Sequence, residues 1–161
     1  MTPEELQANI LERFPNATAD IPAPQTGLVV KIFPTVLDDV AHYLFETPEL
    51  SFDYLMSLTA VDYPPEQMDV VYHLSSLLHK HKLTLKVSLN RNTPKVKSVA
   101  GVWRAAEWHE REVFDLFGVE FMGHPDLRRI LTPEGLVGNP LRKDWTGPDF
   151  IPKPQEYTGK G

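Results

Sequence analysis

Leu83-Thr84-Leu85-Lys86-Val87-Ser88-Leu89 alternates apolar and polar side chains without a miss. Successive side chains on a strand point to opposite faces, so this run predicts a strand with one buried face and one wet face. Antiparallel sheets accommodate that asymmetry. Upstream, Phe52 to Asp62 and Asp69 to Ser75 are also strand-like, and Pro64-Pro65 forces a turn between them. Short connections of this kind predict a meander of three antiparallel strands, with His79-Lys80-His81 in its last turn.

Further toward the N-terminus, Thr2-Pro3-Glu4-Glu5 reads as a helix start, with Thr as the cap, Pro in the first turn and acids at the positive end of the dipole. The helix should run to about Phe14 and stop before Pro15, placing Leu6, Ile10 and Phe14 on one face. Leu28 to Phe33 is a short β-rich run ended by Pro34. Thr35 is expected to cap a second helix, with Asp38 and Asp39 in its first turn and Val36, Val40 and Leu44 at helical spacing, ending at Pro48.

Downstream of the meander, Ser98 to Phe117 predicts a helical region broken near Gly101, with Gly118 as the residue that closes it. Composition then changes, because seven of the nine glycines lie from Gly118 onward together with six of the fifteen prolines. Such a segment cannot make long helices or central strands. The expected organisation is an α+β domain over residues 1–117 and an extended arm over 118–161. Phe121, Leu127, Ile130, Leu131, Leu141, Trp145 and Phe150 are too apolar for a solvated tail, so the arm is expected to order on a partner, above all beyond Pro133. Arg128, Arg129, Arg142 and Lys143 would then pair with acidic groups on that partner.

The formal net charge of −6 argues against nucleic acid as the main partner, since phosphate binding calls for a basic surface. The absence of cysteine removes disulfides, thiolate nucleophiles and cysteine-held iron–sulfur or zinc sites. No apolar run approaches the ~18 residues of a membrane-spanning helix, and Met1 to Phe14 is acidic and amphipathic rather than basic-then-apolar. A soluble protein reaching a membrane only through a partner is expected.

The densest charge lies in Trp108-His109-Glu110-Arg111-Glu112-Val113-Phe114-Asp115-Leu116-Phe117-Gly118 and in Gly123-His124-Pro125-Asp126-Leu127-Arg128-Arg129-Ile130-Leu131. Charge among aromatics is costly to bury unless each group finds a partner. A zinc-protease helix would need a second histidine four residues after His109, and position 113 is Val. Glu110 and Glu112 point about 200° apart on a helix and form no carboxylate pair. Arg111 and Asp115 are spaced to pair along the helix, which favours a structural role. His124 reads as a loop anchor, and Pro140-Leu141-Arg142-Lys143-Asp144 repeats the theme of charge in an irregular arm. Neither a Gly-rich phosphate loop nor a G-x-S-x-G elbow occurs, so no catalytic, cofactor or metal residue is assigned.

The string Glu110 to Gly118, then Gly123 to Pro133, then Pro140 to Asp144, resembles the signature of the 30-kilodalton subunit of NADH-quinone oxidoreductase, respiratory complex I. The likeness is near-continuous over residues 98 to 145, with departures at Leu136 and Trp145, where the family usually has Trp and Tyr. It implies an α+β fold, a mixed sheet with two or three helices on it and an extended C-terminal arm. It implies a structural subunit of the peripheral arm, on the cytoplasmic side of a bacterial membrane, docked on the large quinone-site subunit. FMN, Fe-S clusters, NADH and quinone would belong to the rest of the complex and none to this chain. The signature residues for interface or structure would be Glu110, Arg111, Glu112, Asp115, His124, Asp126, Arg128, Arg129, Arg142, Lys143 and Asp144. The alternative is the equivalent subunit of a membrane-bound hydrogenase or a ferredoxin- or F420-linked oxidoreductase.

Overall fold

The computed structural model describes residues 2–15 and 28–147. Helix α1 spans Pro3–Arg13 and opens with a reciprocal cap: the Glu5 amide donates to Thr2 Oγ1 (3.2 Å) and the Thr2 amide to Glu5 Oε2 (2.8 Å). Leu6 and Ile10 enter the core, and Phe14 packs edge-on against Tyr43. Strand β1 is Val29–Ile32. Helix α2 spans Leu37–Glu46 and buries Leu37, Val40, Ala41 and Leu44. Thr35 does not cap it, contrary to expectation. Pro34–Val36 forms a turn of 3-10 helix, so Thr35 sits inside a turn rather than ahead of one, and α2 begins without a side-chain cap.

The meander is present as β2 (Tyr54–Tyr63), β3 (Gln67–Ser75) and β4 (Lys82–Asn90), each antiparallel to the next. Strand β1 lies parallel to β4, with Val29 opposite Thr84 and Ile32 opposite Val87, so the sheet order is β1-β4-β3-β2 and the sheet is mixed, as the resemblance implied. Leu83, Leu85, Val87 and Leu89 are all buried, as the alternation required. They meet Val30, Ile32, Val70, Tyr72 and the apolar faces of α1 and α2 in one core. A bulge at Met56 shifts the register of β2 against β3.

Two short strands escape the sequence patterns. Strand β5 (Lys95–Lys97) pairs in parallel with β6 (Glu120–Met122). Three residues carry too little periodicity to be read, yet Val96 and Phe121 are buried in the core. Phe121, expected as an anchor on a partner, is thus a core residue of its own chain. The helix expected from Ser98 begins only at Ala106: α3 spans Ala106–Phe117, and a turn at Val99 to Trp103 replaces its first part. The Trp103 indole donates to the Phe52 carbonyl (2.8 Å), seating that turn on the meander. Gly118 closes α3 in the left-handed conformation (φ 77°), as expected.

Candidate functional site

Helix α3 presents carboxylates to two sides. Glu110 is fully buried. Its Oε2 accepts from Ser98 Oγ (2.5 Å) and its Oε1 from the Val99 amide (2.7 Å). Burial pushes this carboxyl up to about 7, with the Ser98 and Val99 bonds pulling the other way. His124 Nε2 stands 4.0 Å from Glu110 Oε2 but donates to the Glu107 carbonyl (2.9 Å), while Nδ1 accepts from the Asp126 amide (2.9 Å). Both ring nitrogens are therefore spent on backbone, so His124 anchors its loop and is not placed to act as a base.

Asp115 is also fully buried and faces the segment after β6. Its Oδ2 accepts from the amides of Ile130 (3.1 Å), Leu131 (2.7 Å) and Thr132 (2.9 Å), and its Oδ1 accepts from the Thr132 hydroxyl. Arg129 Nη1 lies 3.6 Å away. Burial alone would raise this carboxyl, but the Thr132 hydroxyl and the three amides outweigh it and hold it below its ordinary value. The pairing of Arg111 with Asp115 expected from their spacing does not form, because the lone pairs of Asp115 are taken by the amides of residues 130–132. Arg111 instead donates from Nε to the Arg128 carbonyl (3.2 Å) and lays its guanidinium 5.0 Å above the Trp108 ring.

The segment from Gly118 to Gly147 closes the far end of α3. A helix leaves its last four carbonyls without partners of its own. Here Phe114 receives the Gly118 amide (2.9 Å), Asp115 receives Asn139 Nδ2 (3.0 Å), Leu116 receives the Leu141 amide (3.0 Å) and Phe117 receives Arg142 Nε (2.7 Å). A guanidinium at this end also suits the negative pole of the helix. Farther on, Asp144 grips the guanidinium of Arg91 (2.6 and 3.1 Å). Arg91 in turn holds Asp62 at the end of β2 through a second fork (2.6 and 3.0 Å), and the Lys143 amide adds a bond to Asp62 (2.8 Å). The Arg91 guanidinium keeps Asp62 and Asp144 below the ordinary carboxylate range.

Three of the arm's four cations, expected to meet acids on a partner, also have partners inside the chain. Arg128 pairs with Asp126 (2.8 Å), Arg129 bonds Thr132 Oγ1 and the Gly138 carbonyl, and Arg142 caps α3. Lys143 places its Nζ 5.8 Å over the Tyr63 ring. For Arg142 and Arg129 the reason is geometric: the carbonyl end of α3 and the buried Asp115 lie close to them. The arm docks on its own domain at least to Asp144, which bonds Arg91, and the Trp145 indole donates within the arm to the Val137 carbonyl. Phe150 and the rest of the arm lie outside the described residues.

The signature residues thus divide. Glu110, Asp115, His124, Arg129, Arg142 and Asp144 are used inside the chain. Glu112, Asp126 and Arg128 are exposed, and beside them Trp108 (64 % exposed), with Arg111 across its ring, and Leu131 (61 % exposed) form an outer face. Sequence reasoning missed the roles of Asp62, Arg91, Ser98 and Asn139, because their partners lie far away in the chain and none of these contacts follows a periodic pattern. Among the described residues no group of three or more His, Cys, Asp or Glu side chains could hold a metal ion, and no helix is long and apolar enough to cross a membrane.

The outer face thus combines charged side chains with two large exposed apolar ones, and comparison with known proteins gives the chain its family. The NADH-quinone oxidoreductase C subunit of Roseiflexus sp. is 43% identical over 143 residues, covering 85% of this chain and 82% of that one. The C subunit of Chloroherpeton thalassium is 48% identical over 107 residues, which is 66% of this chain and 45% of that longer relative. A chain of the membrane-bound sulfane sulfur reductase, an archaeal respiratory membrane complex, superimposes with a TM-score of 0.73 at 28% identity, over 89% of this chain and 85% of that one. Residues 30–150 match the family described as respiratory-chain NADH dehydrogenase, 30 Kd subunit. The chain belongs to the 30-kilodalton subunit family of respiratory-chain NADH dehydrogenase.

Proposed function

We propose that this chain is a structural subunit, carrying no cofactor itself, in the peripheral arm of a proton-translocating NADH-quinone oxidoreductase. Its task is to hold the large quinone-site subunit, so that electrons pass from NADH through FMN and Fe-S clusters in other subunits to quinone. The complex is a translocase, and the isolated chain turns over no substrate. The subunit sits peripherally on the cytoplasmic side of a bacterial membrane.

The observation that carries this reading is the outer face of α3. Trp108 and Leu131 are large apolar side chains left mostly exposed, with Arg111 bridging between the Trp108 ring and the Arg128 carbonyl. Tryptophan and arginine are the side chains that most often carry binding energy at protein interfaces. The buried acids behind them fix the backbone that presents this face, which gives the dense charge of the signature a structural reason.

Replacement of the chromosomal copy by a tagged chain, followed by purification in mild detergent, tests the reading. The quinone-site subunit and the flavin-bearing NADH-binding subunits should co-purify, and Trp108→Ala should reduce that recovery while leaving the melting temperature of the isolated chain unchanged. Recovery without any quinone-site subunit would overturn it. The likeness to the sulfane sulfur reductase chain supports the second reading, the equivalent subunit of a related membrane-bound complex. Co-purifying subunits of a hydrogenase or of a ferredoxin- or F420-linked enzyme, in place of the NADH-binding subunits, would favour it.

A further inference from the structure

The side of the four-stranded sheet that points away from the core carries an unusual set of side chains. Register places Lys31, Lys86, Val71 and Thr59 in one row across β1, β4, β3 and β2. The neighbouring rows are Val29-Thr84-His73-Ser57 and, on β4, β3 and β2, Ser88-Asp69-Val61. Lys31 and Lys86 are direct neighbours on adjacent strands, and like charges so placed are destabilising. Among the described residues neither they nor Lys82 on the same side lies within ion-pairing distance of a carboxylate. Asp69, the acid in these rows, is buried and is bonded by Gln67 Nε2 (2.8 Å).

A groove of about 500 Å³ on this face is lined by Met56, Val61 and Val71 together with Thr59, His73, Thr84, Lys82 and Lys86. An antiparallel sheet can leave one face in water, but a parallel pair such as β1 and β4 is ordinarily covered on both. Lys82 and Lys86 line this groove and Lys31 adjoins Lys86, and a basic patch with no carboxylate partner among the described residues has the complement of an acidic, partly apolar surface.

We propose that this outer sheet face is a second docking surface, occupied in the assembled complex by an acidic segment of a neighbouring subunit. That segment would lay carboxylates on Lys31, Lys82 and Lys86 and an apolar side chain into the groove over Val61 and Val71. The proposal rests on the subunit reading above, and it concerns a face formed by other elements than α3 and the arm.

Two measurements on the assembled complex test it. A photo-crosslinking amino acid at Thr59 or Thr84, activated in the purified complex, should join a peptide of another subunit that is rich in Asp and Glu. The variant Lys31→Gln/Lys82→Gln/Lys86→Gln should melt no lower than wild type as an isolated chain, since it removes a like-charge contact. It should nevertheless be retained by the complex on the order of tenfold less at low salt, with a flatter dependence on salt. Crosslinks to lipid, to a second copy or to this chain's own residues would overturn the proposal, as would wild-type retention of the triple variant. Such results in a complex that still contains the subunit leave the subunit reading standing. A chain that joins no complex at all overturns both.

Discussion

Asn139 Oδ1 occupies the space that a Cβ on Gly118 would need, 2.5 Å from its ideal position. Gly118 also holds a φ of 77°, where an L side chain is strained. The glycine thus lets Asn139 reach the Asp115 carbonyl and close the end of α3. Gly118→Ala should cost about 1–2 kcal/mol for the left-handed backbone, plus the loss of the Asn139 bond as that side chain is pushed aside. Thermal unfolding should show a fall of several degrees, about 2–4 °C per kcal/mol for a chain of this size. Asn139→Ala alone should show the smaller part of that loss. Unchanged melting of both variants would reject the cap.

Asp115 holds three successive amides and a hydroxyl with one carboxylate. Asp115→Ala leaves those donors unpaired, and hydrogen bonds to a charged group are worth about 1.5–3 kcal/mol each on removal. A loss of at least about 3 kcal/mol is expected in urea unfolding. Amide exchange at Ile130, Leu131 and Thr132 should accelerate well beyond the global change. Acceleration no greater at these three amides than elsewhere would show that Asp115 does not hold the arm.

Arg91 and Asp62 form a buried pair, whereas Asp126 and Arg128 form an exposed one. Arg91→Met strands the Asp62 carboxylate and should lower the melting temperature of the chain. Asp126→Ala should change stability by no more than about 1 kcal/mol. A double-mutant cycle on Arg91 and Asp62 measures the coupling directly, and a coupling near zero would contradict the geometry.

Glu110 has a folded value raised to about 7, above its ordinary 4.5. Below 4.5 the carboxyl is protonated in both states and contributes no pH dependence. Between 4.5 and 7 the folded chain binds more protons than the unfolded one, so stability falls as pH rises. Above 7 the penalty is constant, at most about 3 kcal/mol. Asp62 and Asp115 act in the opposite sense: their stabilisation is present above the ordinary carboxylate value and is lost as pH falls through their lowered folded values. Stability should therefore peak near pH 5. Glu110→Gln can still accept from Val99 and donate to Ser98, and it should flatten the decline between pH 5 and 7. An unaltered profile in the variant would show that Glu110 is not the group responsible.

The meander, α1 and the end of α3 could be read from the sequence because each rests on local rules. Leu83 to Leu89 alternates, Thr2 and Glu5 cap each other, and Gly118 supplies the left-handed turn. The short strands β5 and β6 could not be read so, since their pairing joins residues far apart in the chain and only Val96 and Phe121 are buried in them. The signature residues stood out by density of charge, but their partners did not. Spacing offered Arg111 to Asp115, while the fold brought Asp115 to the amides of residues 130–132 and Arg111 to Trp108. Backbone acceptors and donors are the same at every position, so a charge that ends on the main chain leaves no trace of its partner in the sequence.

The parallel pairing of β1 with β4 also bears on the order in which the chain can be assembled on the ribosome. Val29 meets Thr84, 55 positions later, so β1 has no sheet partner until β4 has been made. At about 5–20 residues per second that interval is roughly 3–11 s. The meander can form within itself as it emerges, but Val30 and Ile32 must wait with their apolar side chains uncovered. The N-terminal strand of the nascent chain is therefore the segment most open to chaperone capture, and it is added last to a sheet whose other three strands are already in register.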